Sequence, residues 1–306
     1  MVSANLPILY HYPMSPYSEK VRLALGILGR HWLSVEVPPQ PPRPMLRQWI
    51  GGYRRIPVLQ MGAHFYCDSN LAVSALQGDL AGQLHMPAHL KALCRHAEND
   101  IFFSVIASAA QLRVLRYLQR QVGFLGVARF LSDRAKMKAD ATLTPPGREL
   151  SLQQVENFAA QLSVLLEGAL FLGGPTASTP DLCCYHPLWM GASIDKRFYR
   201  RLPASVRDWM GRIASIGHGT RTEATAAEVS AVIDAQAPLD IGSPEIAAPF
   251  ELYQPVSVGP VDYARERSQG ELISLTSAEI VLRYPSRTGH VVYLHFPTQG
   301  FAIEAV

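Results

Sequence analysis

The hydrophobic pattern divides this chain into three stretches of different period. Over residues 6 to 77, short apolar runs alternate with helical repeats. Pro7 to Tyr10 reads as a strand, and Val21, Leu25 and Leu28 then recur at helical spacing. His31 to Val37 alternates as a second strand. After a proline-rich loop over 38–44, Met45 to Ile50 reads as a short helix stopped by Gly51-Gly52. Arg55 to Gln60 and His64 to Cys67 flank a turn at Met61-Gly62-Ala63 and read as a hairpin. Asp68-Ser69-Asn70 then caps a helix through Leu71, Val73, Ala75 and Leu76.

A polar linker over 78–86 separates this α/β unit from a stretch with helical period. The spacing predicts helices over Pro87–Leu118, Val122–Ala139 and Leu150–Leu172, the last stopped by Gly173-Gly174-Pro175. Ser178-Thr179-Pro180-Asp181 is a capping box with proline in the first turn, opening a helix that Pro187 should kink. Ala204–Ile216 reads as the last helix of the bundle, with Trp209 inward, and Thr222–Ala235 as one further amphipathic helix. Residues 236 to 250 read as a linker. Beyond it the period falls to two. Pro255–Val258, Glu271–Leu275, Glu279–Tyr284, His290–Phe296 and Phe301–Ile303 read as five short strands. They predict a small antiparallel sheet or an SH3-like barrel, too small to be stable alone and therefore packed on the helical bundle. The expected organisation is three domains, over 1–80, 87–235 and 251–306.

Composition narrows the function classes. The 306 residues are 48% hydrophobic and 17% charged, with a formal net charge of +3, as expected of a soluble globular protein. No dense Lys/Arg block points to nucleic acid, and no run of eighteen or more apolar residues points to a membrane span. Cys67, Cys94, Cys183 and Cys184 form neither a C-x-x-C pair nor a cluster with zinc spacing, so no metal site is expected. Free thiols and the absence of a signal-peptide pattern make the expected location cytoplasmic.

The candidate chemistry starts at Ser15-Pro16-Tyr17-Ser18. Ser15 is an N-cap candidate, and Pro16 at the first helical position gives up no needed donor. A hydroxyl and open N–H groups converge there, at the positive end of a helix dipole, which suits a bound thiolate or carboxylate. A plain helix cap has the same sequence signature.

The segment resembles the first β-α unit of a glutathione-transferase N-terminal domain, which has the thioredoxin fold. Ser15-Pro16-Tyr17-Ser18 sits where glutaredoxins carry Cys-Pro-Tyr-Cys and is similar to the start of serine-type transferase sites. Ile56-Pro57 resembles the cis-proline position of that fold, and Asp68-Ser69 its acidic-Ser pair at a helix start. The resemblance covers about the first 220 residues. It implies glutathione as co-substrate, no metal, a small hydrophobic electrophile as second substrate, and a homodimer. Ser15 is then the catalytic residue, which stabilises the glutathione thiolate without becoming covalent. Arg55, Ile56, Pro57, Asp68 and Ser69 would bind glutathione: Asp68 accepting from the γ-glutamyl ammonium, Ser69 donating to its carboxylate, Ile56 meeting the cysteinyl backbone, and Arg55 facing a peptide carboxylate or standing solvated. Tyr17, His96, Asn99 and Phe103 are the candidates for the hydrophobic substrate. A second reading keeps the fold, and with it the glutathione site, without turnover, the β-rich tail recognising a partner. A thiol–disulfide reductase is disfavoured by the serines at positions 15 and 18.

Overall fold

The computed structural model describes residues 6–78, 86–139, 141, 146–234 and 245–306. Most of the predicted linkers, over 79–85 and 235–244, therefore lie outside the described residues. The α/β unit is present as read. Strand β1 (Ile8–His11) leads into helix α1 (Pro16–Ile27), followed by β2 (His31–Glu36), α2 (Pro44–Ile50), β3 (Val58–Met61), β4 (His64–Tyr66) and α3 (Ser69–Gln77). β1 pairs in parallel with β2 and antiparallel with β3, and β3 pairs antiparallel with β4. The Ile56-Pro57 bond is cis, as the resemblance implies.

The long helix expected from Pro87 is shorter and bent. Helix α4 (Ala88–His96) passes through a π turn (Ala97–Ile101) into α5 (Phe102–Ser108). Ala109 is extended, and the next helix, α6 (Gln111–Ala139), leaves at 101° to the arm before it. The carbonyl of Ser108, freed at the bend, accepts from Arg148 Nε at 3.2 Å. The bend lays Tyr117 and Leu118 against Met14, one residue before Ser15. Gly123, at φ 70°, breaks the helical backbone a second time, close to the boundary read between Leu118 and Val122.

Helix α7 (Arg148–Leu165) precedes α8 (Thr179–Ile194), whose capping box forms as read: the Ser178 N–H donates to Asp181 Oδ2 at 2.9 Å. The other oxygen of Asp181 accepts from Leu172 N–H and Trp209 Nε1, both at 2.8 Å, so the cap also locks Trp209 into the core. α8 runs on through Pro187 as one helix. Helices α9 (Lys196–Arg201) and α10 (Ala204–Ile216) complete the bundle. Among the described residues no single helix is long and apolar enough to cross a membrane.

The C-terminal third differs most from the sequence reading. Thr220–Glu223 is not a helix start but strand β5, parallel to β2, and the helix that follows, α11 (Ala226–Asp234), begins only after it. Thr-Arg-Thr-Glu alternates, and Gly217 and Gly219 take the positive φ values that turn the chain into the sheet edge. The five tail strands form as predicted: β6 (Pro255–Pro260), β7 (Ser268–Leu275), β8 (Glu279–Pro285), β9 (Val291–Pro297) and β10 (Phe301–Ala305), antiparallel in the order β10-β6-β7-β8-β9. Their partner is not the helical bundle. β9 pairs in parallel with β4, which makes one ten-stranded sheet, β10-β6-β7-β8-β9-β4-β3-β1-β2-β5. β4 would otherwise be an open edge, a template for pairing with another chain. One core runs across the seam, with Ile8, Tyr10, Trp49 and Phe65 packed with Val256, Leu272, Leu294 and Phe296. The backbones also meet closely: a Cβ on Gly52 would stand 1.9 Å from the carbonyl oxygen of Arg267.

Candidate functional site

Ser15 ends the turn between β1 and α1, and buried groups hold that turn. Arg22 NH2 donates to Glu19 Oε2 at 2.7 Å and to the Pro13 carbonyl at 3.0 Å, and its NH1 meets His11 Nδ1 at 3.1 Å. His11 Nε2 is in turn 3.0 Å from Ser34 Oγ. Burial and the Arg22 charge press the His11 imidazole down to about 3, so it stays neutral and can accept from the guanidinium. Ser15 caps α1 as expected: its Oγ accepts from the Ser18 N–H at 3.2 Å. The hydroxyl proton is still available to donate. Pro16 has no N–H, so the Tyr17 N–H is the open donor of the first turn among the described residues. The helix cap and the anion-ready hydroxyl are therefore the same group.

Ser15 lines a cavity of about 420 Å³. Its walls are largely apolar, with Met14, Phe102, Phe103, Ile106 and Leu118 among them. A smaller polar groove of about 100 Å³ adjoins it, lined by Pro57, Asp68, Ser69, Asn70 and Glu98. Tyr17, Arg55, Ile56, Phe103 and Tyr263 line both spaces.

The sequence-derived residues divide between these spaces. Ile56 and Pro57 present the cis bond at the groove. Asp68 caps α3, Oδ1 accepting from Asn70 N–H at 2.7 Å and Leu71 N–H at 3.2 Å. Those bonds occupy two of the N–H groups at the start of α3, so a ligand carboxylate there is left to Ser69, as the resemblance implies. Burial pushes the Asp68 carboxyl up, while the Lys20 charge pulls it back. Tyr17 donates its hydroxyl to the Glu98 carbonyl at 3.2 Å, and its ring packs 4.9 Å from Phe102 and 4.7 Å from His186. Asn99 faces the groove and Phe103 both spaces. His96 is not with them. It pairs with Asp100 at 2.8 Å and packs edge-on to Phe158. The π turn at 97–101 inserts an extra residue into the helical phase, which rotates His96 off the face that Asn99 and Phe103 share.

Arg55 also departs from expectation. It is half-buried and, though it lines both spaces, already has partners within the chain. It pairs with Asp262 and with the Tyr263 carbonyl of the C-terminal region, and its guanidinium lies 4.0 Å from the centre of the Tyr263 ring. Tyr263 packs edge-on to Phe103, at 5.8 Å. The β6–β7 loop thus reaches across the sheet seam into the site.

Sequence reasoning missed a buried polar set beneath the groove. The Lys20 Nζ donates to Glu98 Oε1 at 2.5 Å and to Asn70 Oδ1 at 2.6 Å. Asn70 Nδ2 donates to Glu98 Oε2 at 2.8 Å, and His186 Nε2 lies 3.3 Å from Glu98 Oε1. Burial alone would raise the Glu98 carboxyl, but Lys20 and His186 hold it well below the usual range. Burial alone would lower the Lys20 ammonium, but its neighbours Cys183 and Glu98, the latter a hydrogen-bonded carboxylate, keep it raised. The one signal in the sequence was a run of charges, Glu19-Lys20 and Arg22, inside an otherwise apolar helix.

Comparison with known proteins agrees with this geometry. Residues 9–77 match the family described as glutathione S-transferase, N-terminal domain. No curated protein matches the chain. Among solved structures, a GST-like protein from Pseudomonas syringae is similar along 99% of this chain and 100% of its own, at 27% identity and a TM-score of 0.74. A glutathione transferase from Phanerochaete chrysosporium shares the fold over 70% of this chain and 98% of its own, at 16% identity and a TM-score of 0.52. Another, from Ceriporiopsis subvermispora and solved in complex with glutathione, does so over 69% and 96%, at 14% identity and a TM-score of 0.50. The chain is thus similar to glutathione S-transferases, with a thioredoxin-like N-terminal domain, a helical middle and a strand-rich C-terminal region.

Proposed function

We propose that this protein binds glutathione in the polar groove and activates its thiolate at Ser15 for attack on a small hydrophobic electrophile held in the adjoining cavity. The observation that carries the reading is the position of Ser15: a hydroxyl at a helix start, on the wall of an apolar cavity, beside a groove formed by a cis-proline and an Asp-Ser helix cap. The groove alone is too small for a tripeptide. The sulfur end must extend past Ile56 toward Ser15, or the Asp262–Tyr263 loop must move aside. A free thiol has a pKa of about 8.5, so only about 3% is ionised at pH 7. Donors that lower it by about two units raise the thiolate to roughly three quarters, for about 2.7 kcal/mol of differential stabilisation. Sulfur then forms the new bond, the leaving group departs with its electron pair, and the thiol proton goes to solvent.

A second reading, glutathione binding without turnover, is favoured by one feature: Arg55, which the resemblance turns toward a peptide carboxylate, is already paired within the chain. Heat denaturation with millimolar glutathione tests both readings, since a ligand of the native state alone must raise the transition. Conjugation of a standard electrophile then separates them. The cytoplasmic location and the homodimer belong to the same proposal and are tested by fractionation and by sedimentation.

A further inference from the structure

One end of the larger cavity departs from its apolar walls. Four guanidinium groups line it, those of Arg43, Arg54, Arg55 and Arg134, and among the described lining residues there is no Asp or Glu. The carboxylates just behind them are fewer. Asp133 pairs with both Arg54 and Arg134, Glu266 with Arg54 at 2.7 Å, and Asp262 with Arg55. Arg43 pairs with no carboxylate among the described residues. It donates instead to three carbonyls, of Pro38 and Pro39 at 2.7 Å and of Arg54 at 2.5 Å. Among the described residues three carboxylates thus pair with these guanidinium groups, which number four, and one of the three, Glu266, is nearly half exposed and screened by water. Burial first, and the Arg134 and Arg54 charges after it, push Arg43 down to about 10.

Low-dielectric walls focus such a field into the cavity. Arg134 is the most open of the four, with a third of its side chain exposed; beyond Asp133 and Met137 it lies 4.5 Å from the centre of the Phe130 ring and makes long contacts, at 3.4 Å to Tyr12 OH and 3.3 Å to the Pro39 carbonyl.

Resting on the transferase reading, we propose that the second substrate is an apolar electrophile carrying an anionic group, an aromatic or aliphatic acid, whose carboxylate lies at Arg134 and Arg43. The guanidinium fork matches a carboxylate. The rest of the molecule fills the apolar part of the cavity toward Ser15.

The test is calorimetric binding to the full chain, without glutathione, of meta-nitrobenzoate bearing a para methyl group and of the methyl ester of that acid. Neither has a leaving group, so the readout needs no turnover. The acid should bind about tenfold more tightly than the ester. Raised salt should weaken the acid alone. Arg134→Gln should remove most of the acid's advantage and leave the ester unchanged. An ester that binds as tightly as the acid, no binding of either, or an acid preference that survives both salt and Arg134→Gln would overturn the proposal. The salt comparison uses the unaltered protein, so the test stands even if the variant does not fold. Selective acid binding without glutathione conjugation of the para-chloro analogue would refute the transferase reading and leave the acid-binding site at Arg134 and Arg43 standing.

Discussion

Lys20→Met should be one of the most destabilising single changes in this chain, and its cost should shrink with acid. Lys20 is fully buried and its Nζ contacts are Glu98 Oε1 and Asn70 Oδ1. Methionine fills the stem volume but leaves the Glu98 carboxylate buried with only Asn70 and His186 as partners. Breaking one side of a buried ion pair costs about 3–5 kcal/mol. The charge need not persist, however. Without the ammonium, burial dominates and the Glu98 carboxyl in the folded variant should titrate above its unfolded value of about 4.3. A folded-state pKa raised in this way adds stability at low pH, so the variant should recover part of its loss as pH falls toward about 5. Lys20→Met with Glu98→Gln should be milder than Lys20→Met alone, because no uncompensated charge remains. The assay is urea unfolding followed by tryptophan fluorescence, from about pH 5 to about pH 8, on both variants and the parent. A loss under about 1 kcal/mol, equal at every pH, would refute the reasoning, since a surface-like pair behaves that way.

Further predictions concern the seam and the loop over the groove. Gly52→Ala should cost about 1–3 kcal/mol by overpacking, because the added methyl meets the Arg267 backbone, and thermal unfolding would show it. His64 Nδ1 lies 2.7 Å from His295 Nε2 across β4 and β9, and burial with the His295 charge holds His64 down at about 3. The unfolded imidazole titrates near 6.5, so stability should be full above that pH and fall as pH drops from about 6.5 toward 3, by up to about 1.4 kcal/mol per unit for each such histidine. His64→Asn should flatten that slope by about one proton in urea melts across pH. Asp262→Asn should free Arg55 and tighten glutathione binding severalfold by calorimetry; an unchanged affinity would show that Arg55 does not meet the peptide.

The parts of this fold legible in sequence are those set by local rules. Ser15-Pro16 as a cap, the Ser178–Asp181 box, the Gly51 stop and the period-two tail strands all form because neighbouring residues decide them. The cis bond at Pro57 was reached through resemblance rather than from local pattern. What stayed hidden depends on distance. Lys20 and Glu98 are 78 positions apart, and Arg55 and Asp262 are 207 apart, so no window contains either pair. The attachment of the tail to β4 was equally out of reach, because period two marks a strand but not its neighbour. His96 was misplaced for a subtler reason: the expected face assumed an unbroken α-helix, and the π turn shifts the phase by one residue.

The proposed transferase chemistry requires the Ser15 hydroxyl to act on the sulfur of bound glutathione. The most direct measurement is the pKa of that thiol, followed by the ultraviolet absorbance of the thiolate during a pH titration of the saturated complex, in the parent and in Ser15→Ala. The prediction is a thiol about two units below its free value in the parent, returning most of the way in Ser15→Ala while glutathione remains bound. A bound thiol with the same pKa in both proteins would contradict it.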